Sequence, residues 1–207
     1  MPTACIAHVG SAAWERLPEA LRLLRGRFGR VPVYPASDPG DAEALAAELA
    51  PEVDVLLVFG GDGTVHEVAN GLPLGGDGPP VALLPGGTGN DLARAIGIPP
   101  DPVAAATELA DARPRRIDML DCGRRRAANG INAGFAAAAT DVLSRRVKKV
   151  LGPAAYVVGG IRAGMDPPTW AARVEVGGRV VEGEALAVVV GNGGSFGGGR
   201  WLIPDAD

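Results

Sequence analysis

Along the first half of the chain, short apolar runs alternate with stretches in which apolar residues recur at helical spacing. Residues 4–9 read as a strand, and Leu17, Leu21, Leu24 and Phe28 then mark the buried stripe of a helix. Residues 31–34 form a second strand, followed by a helix with Ala42, Leu45, Ala46 and Leu49 inward, for which Asp38-Pro39 can supply N-cap and first turn. Residues 53–59 are apolar except for Asp54, as a strand covered on both faces requires. They run into Gly60-Gly61-Asp62-Gly63-Thr64 and a helix to about Leu72. Residues 73–80 are a loop, residues 81–84 a strand ending in Pro85-Gly86-Gly87-Thr88-Gly89-Asn90-Asp91, with a helix to about Ile96. Asp101-Pro102 opens a further helix that ends before Pro114.

This alternation predicts an α/β domain over residues 1–117, an open Rossmann-like parallel sheet. The pattern then changes. Residues 116–122 and 127–135 read as strands, residues 140–151 as a basic helix and residues 153–165 as a helix weakened by Gly159-Gly160. Alternating Trp170, Ala172, Val174 and Val176, the turn Gly177-Gly178 and a returning strand over 179–190 predict a β-hairpin. Residues 118–207 are therefore expected to form an incomplete antiparallel β-rich domain.

Composition narrows the picture. The 207 residues include 31 Gly and 18 Pro, close to the range where disorder sets in, but 47% hydrophobic and 21% charged residues supply a core and place the glycines in ordered turns. A net charge of −4 gives no basic field, which excludes nonspecific nucleic-acid binding as the main activity. Cys5 and Cys122 form no metal or disulfide pattern and read as reduced thiols of a cytoplasmic protein. No apolar run approaches a bilayer span.

The chemistry concentrates in the two strand–glycine–helix junctions. Glycine permits close backbone approach, and a helix N-terminus offers unpaired N–H groups to an anion. Both junctions lie at carboxyl ends of strands in one parallel sheet and so border one crevice. Simple capping is the competing reading, since Thr64 and Glu67, and likewise Thr88 and Asp91, have capping-box spacing. Neither loop is a Walker A loop, as no Gly-Lys-Ser/Thr follows, and neither is GxGxxG.

The first junction with Glu67 and Asn70-Gly71, and the second with Ala93 and Gly97-Ile98-Pro99, resemble the diacylglycerol kinase catalytic-domain family. The similarity is greatest to its soluble bacterial lipid kinases, relatives of sphingosine and ceramide kinases. Ile117-Asp118, Asn132, Gly134-Phe135, Leu151-Gly152, Tyr156, Gly191-Asn192, the glycines at 197–199 and Pro204-Asp205-Ala206 extend the likeness in order along the chain. Gly-Gly-Asp-Gly alone is shared with NAD kinases and phosphofructokinases, but the Gly87-Thr88-Gly89-Asn90-Asp91 loop resembles the lipid enzymes, which makes an NAD kinase the less favoured alternative. The resemblance implies ATP- and Mg²⁺-dependent transfer of the γ-phosphate to the hydroxyl of diacylglycerol or a related lipid. It implies that Gly60, Gly61, Asp62, Gly63, Thr64, Val65, His66 and Glu67, with Gly86, Gly87, Thr88, Gly89 and Asn90, bind the nucleotide. Asp62, Asp91 and Asp118 would form the acidic catalytic set, with Asp62 nearest Mg²⁺. Read from the residues alone, Asp118 and Asn90 could equally serve loop backbone, and His8 and His66 read as structural.

The chain also departs from the pattern. His8-Val9-Gly10-Ser11 stands where many members carry Asn-Pro, and Ser37 stands near the position of a nucleotide-binding Thr. The sequence as given ends at Asp207, before the family's later Asp-Gly and Asp-Gly-Glu. These 207 residues are thus expected to transfer phosphate weakly or not at all while retaining nucleotide binding, as a nucleotide- or lipid-binding remnant would. The expected partners are ATP, a lipid alcohol and, transiently, the inner membrane surface. There Arg145, Arg146, Lys148 and Lys149, near residues 124–126, either meet anionic headgroups or form a solvated face. No nucleic-acid partner is expected, and the oligomeric state stays open.

Overall fold

A computed structural model describes residues 1–73, 75, 77–134, 169–196 and 198–201. Four parallel strands in the order β2-β1-β3-β4 form the first sheet: β1 (Thr3–His8), β2 (Val33–Ala36), β3 (Val55–Gly60) and β4 (Val81–Pro85). Because side chains alternate along a strand, each strand feeds two cores. Ala4, Ile6, Leu56, Val58 and Leu83 pack on one face with Ala42, Ala46, Leu49 and Val68 of helices α3 (Asp41–Leu49) and α4 (Asp62–Gly71). Cys5, Ala7, Leu57, Phe59, Ala82 and Leu84 pack on the other. Helices α1 (Leu17–Leu23) and α6 (Pro102–Leu109) cover that second face with Ala20, Ala105 and Ala106. Two short helices, α2 (Arg25–Phe28) and α5 (Asp91–Ala95), complete this layer structure. All four strands are parallel, so their carboxyl ends, at His8, Ala36, Gly60 and Pro85, lie along one edge.

Two helix starts follow their sequence signals to different degrees. Asp101 caps α6 as expected, its carboxylate accepting from the N–H groups of Val103 and Ala104 at 3.0 Å. Helix α3, by contrast, begins at Asp41 and not at Pro39, because Gly40 takes the left-handed conformation (φ 93°) just before it. The Asp41 carboxylate instead turns back onto the N–H groups of Ser37 and Asp38 at 2.9 and 2.8 Å. Those two hydrogen bonds hold its pKa below the usual carboxylate value.

The chain divides into two compact units, residues 1–130 with 191–207, and residues 131–190. In the first, β5 (Leu120–Asp121) pairs with β6 (Arg126–Ala127), and β11 (Ser195–Phe196) pairs antiparallel with β12 (Arg200–Trp201). The strand expected over 116–122 is reduced to its last part, since the Asp118 carbonyl accepts from the Asn192 side chain at 2.7 Å and not from a neighbouring strand. In the second unit, β8 (Trp170–Val176) and β9 (Arg179–Ala185) form the expected antiparallel hairpin. Positive φ at both Gly177 and Gly178 gives the turn that matches strand twist. The returning strand breaks at Leu186, and β10 (Ala187–Gly191) pairs with β7 (Gly130–Gly134). The helices expected over 140–151 and 153–165, with their basic cluster, lie outside the described residues.

Candidate functional site

The two glycine junctions meet at the carboxyl edge of the sheet. Strands β3 and β4 are neighbours, with Gly60 opposite Pro85, and the ladder carries over into the loops where the Gly86 N–H donates to the Gly60 carbonyl at 2.8 Å. One residue on, the backbones of Gly61 and Gly87 pass so closely that a Cβ on Gly87 would lie 2.5 Å from the Gly61 Cα. Glycine at 87 is therefore required by the crossing itself, while a Cβ on Gly61 would stand 3.1 Å from the Gly87 Cα, a tighter than ordinary contact. A shallow cleft lies against it, lined by Val58, Gly60, Gly61, Asp62, Pro85 and Asn90.

Asn90 locks the second loop. It is buried in the left-handed conformation (φ 51°), which asparagine tolerates better than most residues. Its side chain brackets Gly87, accepting from the Gly87 N–H at 3.0 Å and donating to the Gly87 carbonyl at 2.8 Å. A second brace comes from the turn after β1, where the Ser11 hydroxyl donates to the Gly86 carbonyl at 2.6 Å.

Neither junction is a capping box. Helix α4 starts at Asp62 with Gly61 as its N-cap, two residues before Thr64, and a glycine has no side chain with which to cap. Glu67 faces away to α3, where its carboxylate accepts from the Ala42 N–H at 3.3 Å. Helix α5 has Asn90, not Thr88, at its N-cap. The first-turn N–H groups of α4 thus keep their capacity for an anion, and around Gly63 a Cβ would meet only open space.

The carboxylates are distributed differently from one another. Asp62 reaches across to the second loop, its Oδ1 accepting from the Leu92 N–H at 3.2 Å while Oδ2 faces Gly89. Burial raises its pKa; the Leu92 N–H opposes this and the Asp91 carboxylate adds to it. Asp91 is buried, and its Oδ1 accepts from the Ser195 hydroxyl at 2.8 Å and the Gly199 N–H at 2.7 Å, with the Gly198 N–H 3.0 Å from Oδ2. It pins the segment after β10 onto α5. Asp118 is exposed in the extended segment before β5. Asn129 adds to the Asp91 clamp, donating to the Ser195 carbonyl at 2.7 Å, and Asn192 donates to the Asp118 and Ala128 carbonyls at 2.7 Å.

Of the other expected nucleotide residues, Gly60 to Val65 and Gly86 to Asn90 lie at or beside this crossing, with Thr88 exposed, whereas Glu67 points to α3. Thr64 Oγ1 packs under Gly60, and Val65 lines the cleft. His66 is half-buried on α4, its pKa lowered by burial and then by Arg125, against the opposing pull of Glu43 and Glu67. Ser37 is exposed after β2 at the same sheet edge, its N–H held by Asp41. His8 anchors the end of β1 through Nδ1 to the Ala36 carbonyl at 3.2 Å. The Ser11 brace, the Ser195–Gly199 clamp and Arg94, whose Nε donates to the Gly89 carbonyl at 3.0 Å, are not foreshadowed by any local pattern.

Comparison with known proteins shows the family and the fold. Residues 8–122 match the diacylglycerol kinase catalytic domain, and residues 129–207 match the YegS C-terminal NAD kinase beta sandwich-like domain. The chain is 35% identical over 97% of its length to a protein of Pseudomonas putida named "Probable lipid kinase YegS-like", covering 68% of that protein. It is 37% identical over 97% of its length to a protein of the same name from Pseudomonas aeruginosa, covering 67% of it. A crystal structure described as a diacylglycerol kinase from Bacillus anthracis superposes with a TM-score of 0.81 at 29% identity, over 100% of this chain and 69% of that one. The chain therefore spans about two thirds of the length of these relatives.

Proposed function

Since the chain belongs to the lipid kinase family built on the diacylglycerol kinase catalytic domain, we propose that it binds ATP with Mg²⁺ and transfers the γ-phosphate to the hydroxyl of diacylglycerol or a related lipid alcohol. The observation that carries this reading is the backbone crossing of Gly61 and Gly87 beside the uncapped N-terminus of α4. Phosphoryl transfer needs positioning and charge neutralisation more than covalent chemistry, and this arrangement supplies backbone donors with no side chain between them and the ligand.

Asp62 suits the metal. One carboxylate oxygen is fixed by the Leu92 N–H and the other faces the loop, while burial and Asp91 disfavour its anion and a divalent cation would offset both. Among the described residues no group of three His, Cys, Asp or Glu is gathered to cage a metal. Mg²⁺ is commonly held by one or two carboxylates together with phosphate and water, and Asp62 is the carboxylate that would serve it here. When bound, Mg²⁺ neutralises charge on the phosphates. The first-turn N–H groups of α4 and the loop of Gly86 to Asn90 cradle the phosphates, with Thr88 and Ser37 at the rim. Asp91 orients the second loop, and Asp118 is the exposed third carboxylate of the proposed acidic set. No described helix is long and apolar enough to cross a membrane; the lipid alcohol is proposed to be met at a bilayer surface.

The test is acceptor identity. The purified chain is incubated with γ-labelled ATP, Mg²⁺ and, in parallel, vesicles containing diacylglycerol, vesicles containing ceramide, or NAD. Mg²⁺-dependent label in the diacylglycerol fraction, at however low a rate, is the expected result. Label in NAD, or nucleotide binding with label in none of the acceptors, contradicts the reading.

A further inference from the structure

The two glycine loops are anionic. Residues 59–67 and 84–91 contain Asp62, Glu67 and Asp91 but no Lys or Arg, so the lysine that a P-loop places on the phosphates has no counterpart within them. A nucleoside triphosphate brings several further negative charges to this cleft. The next cation along the chain is Arg94 on α5, and the fold turns it back onto the second loop. Its Nε donates to the Gly89 carbonyl at 3.0 Å. Gly89 is also the residue faced by Asp62 Oδ2, which a Cβ on Gly89 would approach to 2.9 Å. On its other side Arg94 is backed by Gly199, where a Cβ would come within 3.3–3.6 Å of Nε, Cδ and Cζ. Gly199 is itself held by Asp91 at 2.7 Å. The guanidinium is thus anchored through one donor and one face, the residue is exposed, and its two terminal amino groups make no hydrogen bond or ion pair among the described residues.

A guanidinium held by Nε with both terminal groups directed elsewhere is prepared for two-pronged contact with an oxyanion. We propose that Arg94 binds the terminal phosphate of the nucleotide, supplying from α5 the positive charge that the glycine loops lack. The inference rests on the nucleotide reading of the site given above. It assigns the terminal phosphate because the carbonyl that anchors Arg94 belongs to Gly89, which Asp62 Oδ2 faces, and Asp62 is the residue that would hold the metal.

Three variants separate charge from scaffolding. Arg94→Gln keeps an amide donor for the Gly89 carbonyl and removes the charge, Arg94→Lys keeps the charge and loses the fork, and Arg94→Ala removes both. Binding of Mg-ATP and Mg-ADP is measured by calorimetric titration, with thermal unfolding of each variant alongside. The wild-type chain is expected to prefer ATP over ADP. Arg94→Gln and Arg94→Ala should lose about tenfold in ATP affinity, as expected for loss of a charge-assisted contact, with ADP affinity within about twofold of wild type. Arg94→Lys should retain part of the preference. Undiminished ATP binding by Arg94→Gln, or equal losses for ATP and ADP, overturns the inference. If the wild-type chain binds neither nucleotide, it is the nucleotide reading that fails. A parallel measurement on vesicles containing phosphatidylserine distinguishes the other source of phosphate. If Arg94→Gln weakens vesicle binding and leaves ATP binding intact, Arg94 serves a lipid headgroup and the proposal is wrong.

Discussion

Replacing Gly87 by alanine tests the loop crossing directly. The new methyl would lie 2.5 Å from the Gly61 Cα and 3.0 Å from Asn90 Oδ1. Carbon atoms in contact normally stand about 3.5–4.0 Å apart, so the loops must separate by about 1 Å or more. Neither neighbour is a flexible side-chain end: one is backbone, and the other is fixed by its two bonds to Gly87 itself. Separation therefore strains the Asn90 bracket and the bond from the Gly86 N–H to the Gly60 carbonyl, each contributing about 1 kcal/mol. With the overpacking cost of about 1–3 kcal/mol, a loss of about 3–5 kcal/mol follows, or about 6–20 °C in Tm for a chain of this size. Gly63→Ala is the matched control. A Cβ there meets nothing within 4 Å, and in the first turn of α4 alanine should add about 0.5–1 kcal/mol over glycine. Thermal unfolding and Mg-ATP titration of both variants give opposite stability changes and a shared loss of affinity, since the Gly63 methyl would project where the phosphate is proposed to lie. A Gly87→Ala chain that unfolds at the wild-type temperature and binds ATP as well as wild type would refute the reasoning.

Asp91→Ala should destabilise the first unit by about 2–4 kcal/mol in urea unfolding, because it strips the acceptor from the Ser195 hydroxyl and the Gly198 and Gly199 N–H groups; Asp91→Asn, which keeps one oxygen, should lose less. Asp62 holds its proton to a higher pH in the folded chain than its ordinary 3.8, so stability falls as pH rises from there through the folded pKa. Affinity for Mg-ATP should rise over the same window, because the cation needs the ionised carboxylate, and Asp62→Asn should abolish that rise in a titration series. The two cysteines should differ sharply towards a thiol reagent. Cys5 is fully buried with its pKa pushed up to about 12, whereas Cys122 is exposed, so native protein should react at one site and denatured protein at two.

Much of this architecture is legible in the residues. The four strands announce themselves because the sheet is covered on both faces, so Ile6, Leu56 and Leu83 on one side and Cys5, Leu57 and Leu84 on the other must all be apolar. The hairpin turn is legible because two successive left-handed residues call for Gly177-Gly178. The glycine loops are visible as motifs, but their spacing misleads about capping: the N-cap of α4 is Gly61, three residues before Thr64, and the left-handed Asn90 is the N-cap of α5, so Thr64 and Thr88 cap neither helix. The start of α3 shifts for a similar reason at Gly40. What the pattern conceals are contacts made across the fold. The bond between Asp91 and Ser195 joins residues 104 apart in the chain. No periodicity or turn rule encodes it, so the hydrogen bonds that Asp91 makes to the returning glycine segment are not visible in the sequence. Arg94 is hidden likewise, since helical spacing marks it as a surface residue of α5 while the Gly89 carbonyl turns it onto the loop.

A nucleotide lying against the crossing of the two glycine loops, as proposed, should slow amide hydrogen exchange there when the chain is compared with and without Mg-ATP. Protection confined to residues 60–66 and 86–94, absent with Asp62→Asn, is expected. Bound ATP that protects other segments and leaves both glycine loops exchanging at their free rate would contradict it.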